Sequence, residues 1–179
     1  MFFFDRGNLT GVDIGSYAVK AVKMKGKGDN RLLEAVGYSK IGHINIPQDN
    51  LILAKLLRTI FNTHKINTKK IVTVISGGSL IYLPMYLPNM PRKDMKEAVR
   101  WEMQKHITFP HDELVYDFTT IGEVKKGEDS MIFLIAFGVQ KNDVKQLINI
   151  FEDASLEPIS INVTPMAMAR TLVSQAFQS

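Results

Sequence analysis

Residues 9–20 read Leu-Thr-Gly-Val-Asp-Ile-Gly-Ser-Tyr-Ala-Val-Lys and bring an acid, a glycine, a hydroxyl and a lysine close together. Because glycine lacks a Cβ, the backbone can turn sharply at Gly15 and point consecutive N–H groups at a phosphate. Ser16 adds a hydroxyl donor, Lys20 adds a mobile cation, and Asp13 can hold the waters of a phosphate-bound Mg²⁺. The predicted residues of the ATP or phosphate site are Asp13, Gly15, Ser16, Tyr17 and Lys20. The pattern predicts a phosphate loop. An ordinary hairpin turn with a solvated Lys20 is the alternative, since Gly and Asp are common in turns.

Three strands, a helix and a fourth strand are predicted around this loop. Alternating apolar and polar residues, with turn residues at 26–30, indicate a meander of strands at 9–14, 17–25 and 31–39. Asp49 can cap a helix with one apolar face, and the apolar run of 71–75 indicates a buried strand. We expect that strand to lie parallel to the first, in an α/β fold.

A second group of elements is predicted from residue 79 onward. Pro84 interrupts a strand-like run, which favours an edge strand or a bulge. Pro91 suits the first turn of a helix. The apolar stripe of that helix is formed by Met95, Ala98, Val99 and Met103. Strands at 114–121 and 131–139 and a helix capped near Asn142 complete the group.

Residues 158–163 are predicted to return to the first sheet as a strand. Thr164 as a cap and Pro165 at the first helical position then begin a further helix.

The loop Gly11-Val12-Asp13-Ile14-Gly15-Ser16, with Lys20 after it, resembles the first phosphate loop of the actin-like ATPases, and within them the PilM family of type IV pilus assembly. A second resemblance to that family lies in Leu-Pro-Asn-Met-Pro at 87–91, Glu-Ala-Val-Arg-Trp-Glu at 97–102 and Ile-Thr-Phe-Pro at 107–110. The resemblance implies an actin-like, ribonuclease H-like sub-domain 1A in residues 1–78 and 158–179. It also implies an inserted, SHS2-like sub-domain 1C in residues 79–157.

Members of this family are cytoplasmic and associate with the inner membrane through partner proteins. The resemblance therefore implies a scaffold that receives the N-terminal tail of a PilN-type protein between 1A and 1C, among other pilus-assembly proteins; self-association stays open. It also implies ATP with Mg²⁺ between two lobes, of which this sequence represents the first. A half-site of this kind should bind nucleotide weakly, because little of the ligand is buried.

Catalysis is not predicted for this chain. In the resembled families the residue after the last 1A strand is often acidic or an amide, whereas Asn162-Val163-Thr164 offers no carboxylate. No catalytic residue is therefore assigned, and Thr164 is interpreted as a helix cap. An FtsA-like polymerising membrane adaptor, or a fragment of an actin-like or sugar-kinase-like ATPase, are the alternative functions.

Four residues are candidates for contact with the partner tail: Trp101, Met95, Met103 and Phe109. Trp101 lies at the edge of its helical stripe, where a large aromatic side chain can anchor a peptide. The alternative is that Trp101 packs within its own sub-domain. Methionines at these spacings can line a partner surface, but they also fill cores.

The composition indicates a globular protein of 179 residues with a net charge of +4. The absence of cysteine excludes disulfides and thiolate metal sites, and it fits the cytoplasm. The basic residues are scattered, which argues against nucleic-acid binding. The histidines at 43, 64, 106 and 111 have no metal-ligand spacing, so no metal site is predicted apart from water-bound Mg²⁺ at Asp13.

Overall fold

The computed structural model of this protein describes residues 7–27, 30–42, 49–77, 80–126 and 129–169. Its elements are β1 (Asn8–Ile14), β2 (Ala18–Lys25), β3 (Leu32–Lys40), α1 (Asn50–Thr63), β4 (Lys70–Ile75), β5 (Ile81–Pro88), α2 (Arg92–Gln104), a 3₁₀ turn (His111–Glu113), β6 (Leu114–Lys126), β7 (Asp129–Gln140), α3 (Lys141–Asp153) and β8 (Glu157–Val163). Residues 164–169 are helical as well. The predicted α/β fold is confirmed. In the described part of the chain, no helix combines the length and the apolar character that a membrane crossing needs.

The chain divides into two compact units, and each is described by itself. The larger unit comprises the described residues of Met1–Ser76 and Lys145–Ser179, and the smaller unit those of Gly77–Val144.

The larger unit contains a five-stranded sheet in the order β3-β2-β1-β4-β8. The first three strands are antiparallel neighbours, as the meander predicts. β4 is parallel to β1, and β8 is parallel to β4, so the predicted parallel pairing of the buried strand is confirmed. Because β1, β4 and β8 run in one direction, their carboxyl ends meet at one edge of the sheet.

Helix α1 covers one face of this sheet. Its buried residues recur with the helical period and are Leu53, Ala54, Leu57, Ile60 and Phe61. Gly37 of β3 lies beneath the helix, and a Cβ at that position would collide with the Ile60 side chain. The glycine therefore allows α1 to approach the sheet closely.

Helix α3 packs into the same core as α1, which corrects the sequence-based assignment of this helix to the insertion at 79–157. Ile150 and Phe151 are buried in the cluster that contains Leu53 and Leu57. The apolar stripe of a helix predicts that one face is buried, but it does not indicate which sheet covers that face.

The smaller unit contains an antiparallel sheet in the order β5-β7-β6, with α2 packed on one face. Pro84 lies in β5 at the edge of this sheet, as predicted. The buried core is formed by Met85, Met95, Val99, Met103, Phe118, Leu134 and Ala136. Pro91 occupies the N-cap position, one residue before α2 begins.

Candidate functional site

The predicted phosphate loop is the hairpin turn that joins β1 to β2. Ile14 pairs with Val19, and the Gly15 N–H donates a hydrogen bond to the Ala18 carbonyl at 3.0 Å. A Cβ on Gly15 would lie 3.3 Å from that carbonyl oxygen, so glycine permits the tight closure. Ser16 forms the exposed tip with Tyr17. The hairpin alternative describes this geometry correctly, and phosphate binding remains a prediction.

Asp13 and Lys20 face each other across the hairpin. They are register partners of β1 and β2, and the Lys20 Nζ lies 3.1 Å from an Asp13 carboxylate oxygen. Lys20 is therefore paired, and is not simply solvated as in the alternative. Both side chains are partly exposed, and pairs of this kind contribute only about 0–1 kcal/mol. The lysine can thus exchange the carboxylate for a phosphate at little cost.

The tip of the hairpin is held in place by the end of β3. The Ile41 N–H donates to the Tyr17 carbonyl at 2.9 Å, and the Lys40 Nζ lies 5.5 Å from the centre of the Tyr17 ring. Within the described residues, no partner is seen for the backbone N–H groups of Ser16 and Tyr17. These two donors are the ones that an anion at the tip would meet first.

The parallel pairing of β1 with β4 covers a short stretch near the loop. The pairing covers Gly11 with Val72 and Val12 with Thr73, whereas β4 pairs with β8 along its whole length. The buried hydroxyl of Thr73 donates to the Val12 carbonyl at 2.8 Å. This bond fixes the strand end that carries Asp13. Sequence reasoning missed Thr73, although a threonine inside the apolar run of 71–75 was an available signal.

The ends of β4 and β8 lie at the same edge as the loop. Thr164 begins the helical residues 164–169, and its hydroxyl oxygen lies 3.4 Å from the Ile75 carbonyl oxygen. Among the described residues at these three strand ends, Asp13 supplies the carboxylate, while Ser16, Ser76 and Thr164 supply hydroxyls. Carboxylate oxygens suit water-bound Mg²⁺, and N–H, hydroxyl and ammonium donors suit phosphate, so the residues present fit half of an Mg²⁺–ATP site.

The four residues predicted to contact the partner tail divide into two buried and two accessible side chains. Met95 and Met103 are buried in the core of the smaller unit, which corrects their assignment as surface contacts and agrees with the core-filling alternative. Trp101 is 69% exposed, so it does not pack within its own unit. Phe109, which follows the helix, is half-buried. The structure therefore leaves Trp101, with Phe109, as the accessible aromatic residues of this set.

The end of α2 carries a small charge cluster next to Trp101. The Lys105 ammonium donates to the Glu102 carboxylate at 2.6 Å, and His106 lies 3.9 Å from the same carboxylate group. The hydrogen bond from Lys105 lowers the pKa of Glu102, and the charge of Lys105 and the contact with His106 act in the same direction. Glu102 is therefore ionised at neutral pH.

Comparisons with known proteins identify what this chain is similar to. The sequence matches the family model of the type IV pilus assembly protein PilM over residues 11–179. A solved PilM–PilN type IV pilus biogenesis complex matches with a TM-score of 0.80 and 26% identity, over 93% of this chain and 50% of that chain. These matches confirm the predicted resemblance to a PilM-type, actin-like lobe.

A second solved structure shows the same fold at much lower identity. The cytoplasmic domain of EpsL, an inner membrane component of the type II secretion system of Vibrio cholerae, matches with a TM-score of 0.54 and 9% identity, over 87% of this chain and 57% of that chain. The chain thus spans about half the length of both solved structures. A search of curated proteins gives no significant match.

Proposed function

Because this chain belongs to the PilM family of type IV pilus assembly proteins, we propose that it is a scaffold that binds the N-terminal tail of a PilN-type partner in the inner membrane. The likeness to the PilM–PilN complex carries this proposal, because it extends over 93% of the chain at 26% identity. We infer a cytoplasmic location in which the chain reaches the membrane through its partner.

Trp101 is the proposed anchor for the partner tail. Its side chain is the most exposed of the four sequence candidates, and exposed tryptophans that become buried on binding often dominate the energy of an interface. Phe109 adds a half-buried apolar side chain beyond the end of the same helix. Met95 and Met103 support α2 from the core instead.

The hairpin loop is the proposed first half of a nucleotide site of the kind that closes between two lobes. The Ser16 and Tyr17 N–H groups would receive a phosphate, Lys20 would turn from Asp13 toward it, and Asp13 would orient the waters of Mg²⁺. Bound Mg²⁺ would neutralise phosphate charge. Because the described ends of β4 and β8 carry no carboxylate to activate a water, nucleotide would act as a conformational clamp, and turnover would be slow.

Calorimetric titration of the 179-residue chain with a synthetic PilN-type tail peptide tests the scaffold proposal. A saturable complex is expected at or below high-micromolar peptide. Trp101→Ala should weaken binding by about tenfold or more, because truncating a central aromatic anchor costs about 2 kcal/mol. Tyr82→Ala is the matched control, since Tyr82 is a similarly exposed aromatic residue of the smaller unit.

The two outcomes against the proposal are distinct. A flat titration at high-micromolar peptide with the unsubstituted chain contradicts the scaffold function. Unchanged binding by Trp101→Ala contradicts only the assignment of the anchor. Circular dichroism of each variant shows whether its fold is kept.

A further inference from the structure

A pocket of about 450 Å³ opens in the larger unit, where α1 and α3 end and β4 and β8 begin. Since β4 and β8 run parallel to β1, this is the edge of the sheet opposite to the phosphate loop. The volume lies in the range of pockets that hold small ligands or peptide side chains. The pocket is therefore a separate candidate site, which neither the loop nor α2 explains.

Two similar helix ends form the walls of this pocket. Lys65 and Ser155 adopt left-handed backbone conformations, with φ of 54° and 61°. The next N–H groups, of Ile66 and Leu156, donate back to carbonyls in the last turns of α1 and α3, both at 2.8 Å. Such turns satisfy helix-terminal carbonyls. The carbonyl oxygens of Phe61 and Phe151 are thus hydrogen-bonded within the chain.

Arg58 closes one side of the pocket and adds positive charge. One guanidinium nitrogen donates to the Asp153 carbonyl at 2.6 Å, which fixes the side chain across the end of α3. An arginine has five N–H donors in a planar fork, so this single bond leaves donor capacity for a ligand. Lys69 provides a second cation on the rim.

The lining has an apolar floor and a polar rim without a carboxylate. The floor is made of the buried side chains Phe61, Ile66, Ala154 and Leu156. The rim carries the cations Arg58 and Lys69 and the carboxamides Asn62 and Asn67. A carboxamide offers one acceptor and two donors, which match the C=O and N–H of a peptide backbone. The charge and the apolar floor together favour a ligand that is both anionic and aliphatic.

We propose that this pocket binds a short peptide segment of a partner protein in which an acidic residue adjoins leucine or isoleucine. The aliphatic side chain occupies the floor, the carboxylate pairs with Lys69 and Arg58, and the two asparagines bond the peptide backbone. The proposal goes beyond tail binding at Trp101, because it assigns a second docking site on the other unit.

Two-dimensional ¹H–¹⁵N NMR of the 179-residue chain with the probe acetyl-Leu-Asp-Leu-amide tests the proposal. Resonances of residues 58–69 and 154–156 should shift in a saturable manner. The analogue acetyl-Leu-Asn-Leu-amide should bind about tenfold more weakly, because a charge-assisted hydrogen bond becomes a neutral one. Lys69→Gln should weaken binding of the acidic probe by a similar factor. Lys55→Gln is the matched control and should leave binding unchanged, because Lys55 is an exposed lysine of α1 outside the pocket lining.

Three results would overturn the proposal. The first is no shift at these residues at about 10 mM probe, which would mean an affinity too weak to measure. The second is that the acidic and asparagine probes bind with equal affinity, or that Lys69→Gln binds the acidic probe as tightly as the unsubstituted chain does. The third is the same set of shifts at the same concentration of sodium acetate, which would make the pocket a site for free small anions. Because this binding is read at residues 58–69 and 154–156 and tail binding is read at Trp101, this test can fail while tail binding succeeds.

Discussion

Replacing Thr73 with valine tests whether the hydroxyl bond between β4 and β1 stabilises the strand end that carries Asp13. Thr73 is 4% exposed, and its hydroxyl donates to the Val12 carbonyl at 2.8 Å. Valine has nearly the same shape and an equal preference for strands, so the substitution removes the hydroxyl and little else. The Val12 carbonyl then loses this donor in a place that water does not reach.

The expected cost follows from that burial. Losing one partner of a buried hydrogen bond costs about 1–3 kcal/mol, and the gain in apolar burial offsets part of it. We therefore expect the free energy of unfolding to fall by about 1–2 kcal/mol. Urea unfolding followed by far-ultraviolet circular dichroism measures this change, with the slope against urea unchanged.

Thr59→Val is the matched control for this prediction. The Thr59 hydroxyl also donates to a backbone carbonyl, that of Lys55, but it lies on the exposed side of α1. Water can replace it there, so the change should stay within about 0.5 kcal/mol. If Thr73→Val is no less stable than Thr59→Val, the Thr73 hydroxyl does not fix the end of β1.

Three further predictions concern the helices. Ser155→Gly should stabilise the chain by about 0.5–1 kcal/mol in urea unfolding, because φ is 61° there and glycine adopts that conformation without strain. Met103→Ala should lower the free energy of unfolding by about 2–5 kcal/mol, because Met103 is fully buried. Trp101→Ala should lower it by less than about 0.5 kcal/mol, because Trp101 is exposed. Thermal unfolding of the two variants compares these effects. Lys105→Gln should raise the pKa of Glu102 toward its ordinary value in an NMR titration, because the hydrogen bond that lowers it is lost.

The lowered pKa of Glu102 determines how the Glu102–Lys105 pair contributes to stability at different pH. A carboxyl group whose pKa is lowered by folding contributes stability above its unfolded pKa, and that contribution is lost as the pH falls through the folded value. The Glu102–Lys105 contribution should therefore be present at neutral pH and disappear in acid. A Glu102 titration that is unaffected by Lys105→Gln would contradict the cause assigned to the lowered pKa.

Local signals in the sequence predicted most of the elements and their order. Pro84 indicated an edge strand, because proline cannot donate to a sheet ladder, and the structure confirms it. The turn at Gly15 and the parallel strand at 71–75 were likewise readable from residue types at short range. These features depend on neighbours in the chain, which a sequence displays directly.

Features that depend on distant contacts were not predictable in the same way. The apolar stripe of α3 was visible, but its packing with Leu53 and Leu57 in the larger unit was not. The methionines at 95 and 103 could have lined either a core or a surface, and burial alone decided between them. The pocket between the ends of α1 and α3 combines residues about 90 positions apart, so no local pattern marks it.

A ¹H–¹⁵N NMR titration with a PilN-type tail peptide measures whether the tail binds this chain. The chain has a single tryptophan, so one indole N–H signal reports on Trp101. This signal and backbone signals of α2 should shift in a saturable manner, and a scrambled peptide should leave them in place. A spectrum that stays unchanged at about millimolar tail peptide would show that the chain does not bind the tail.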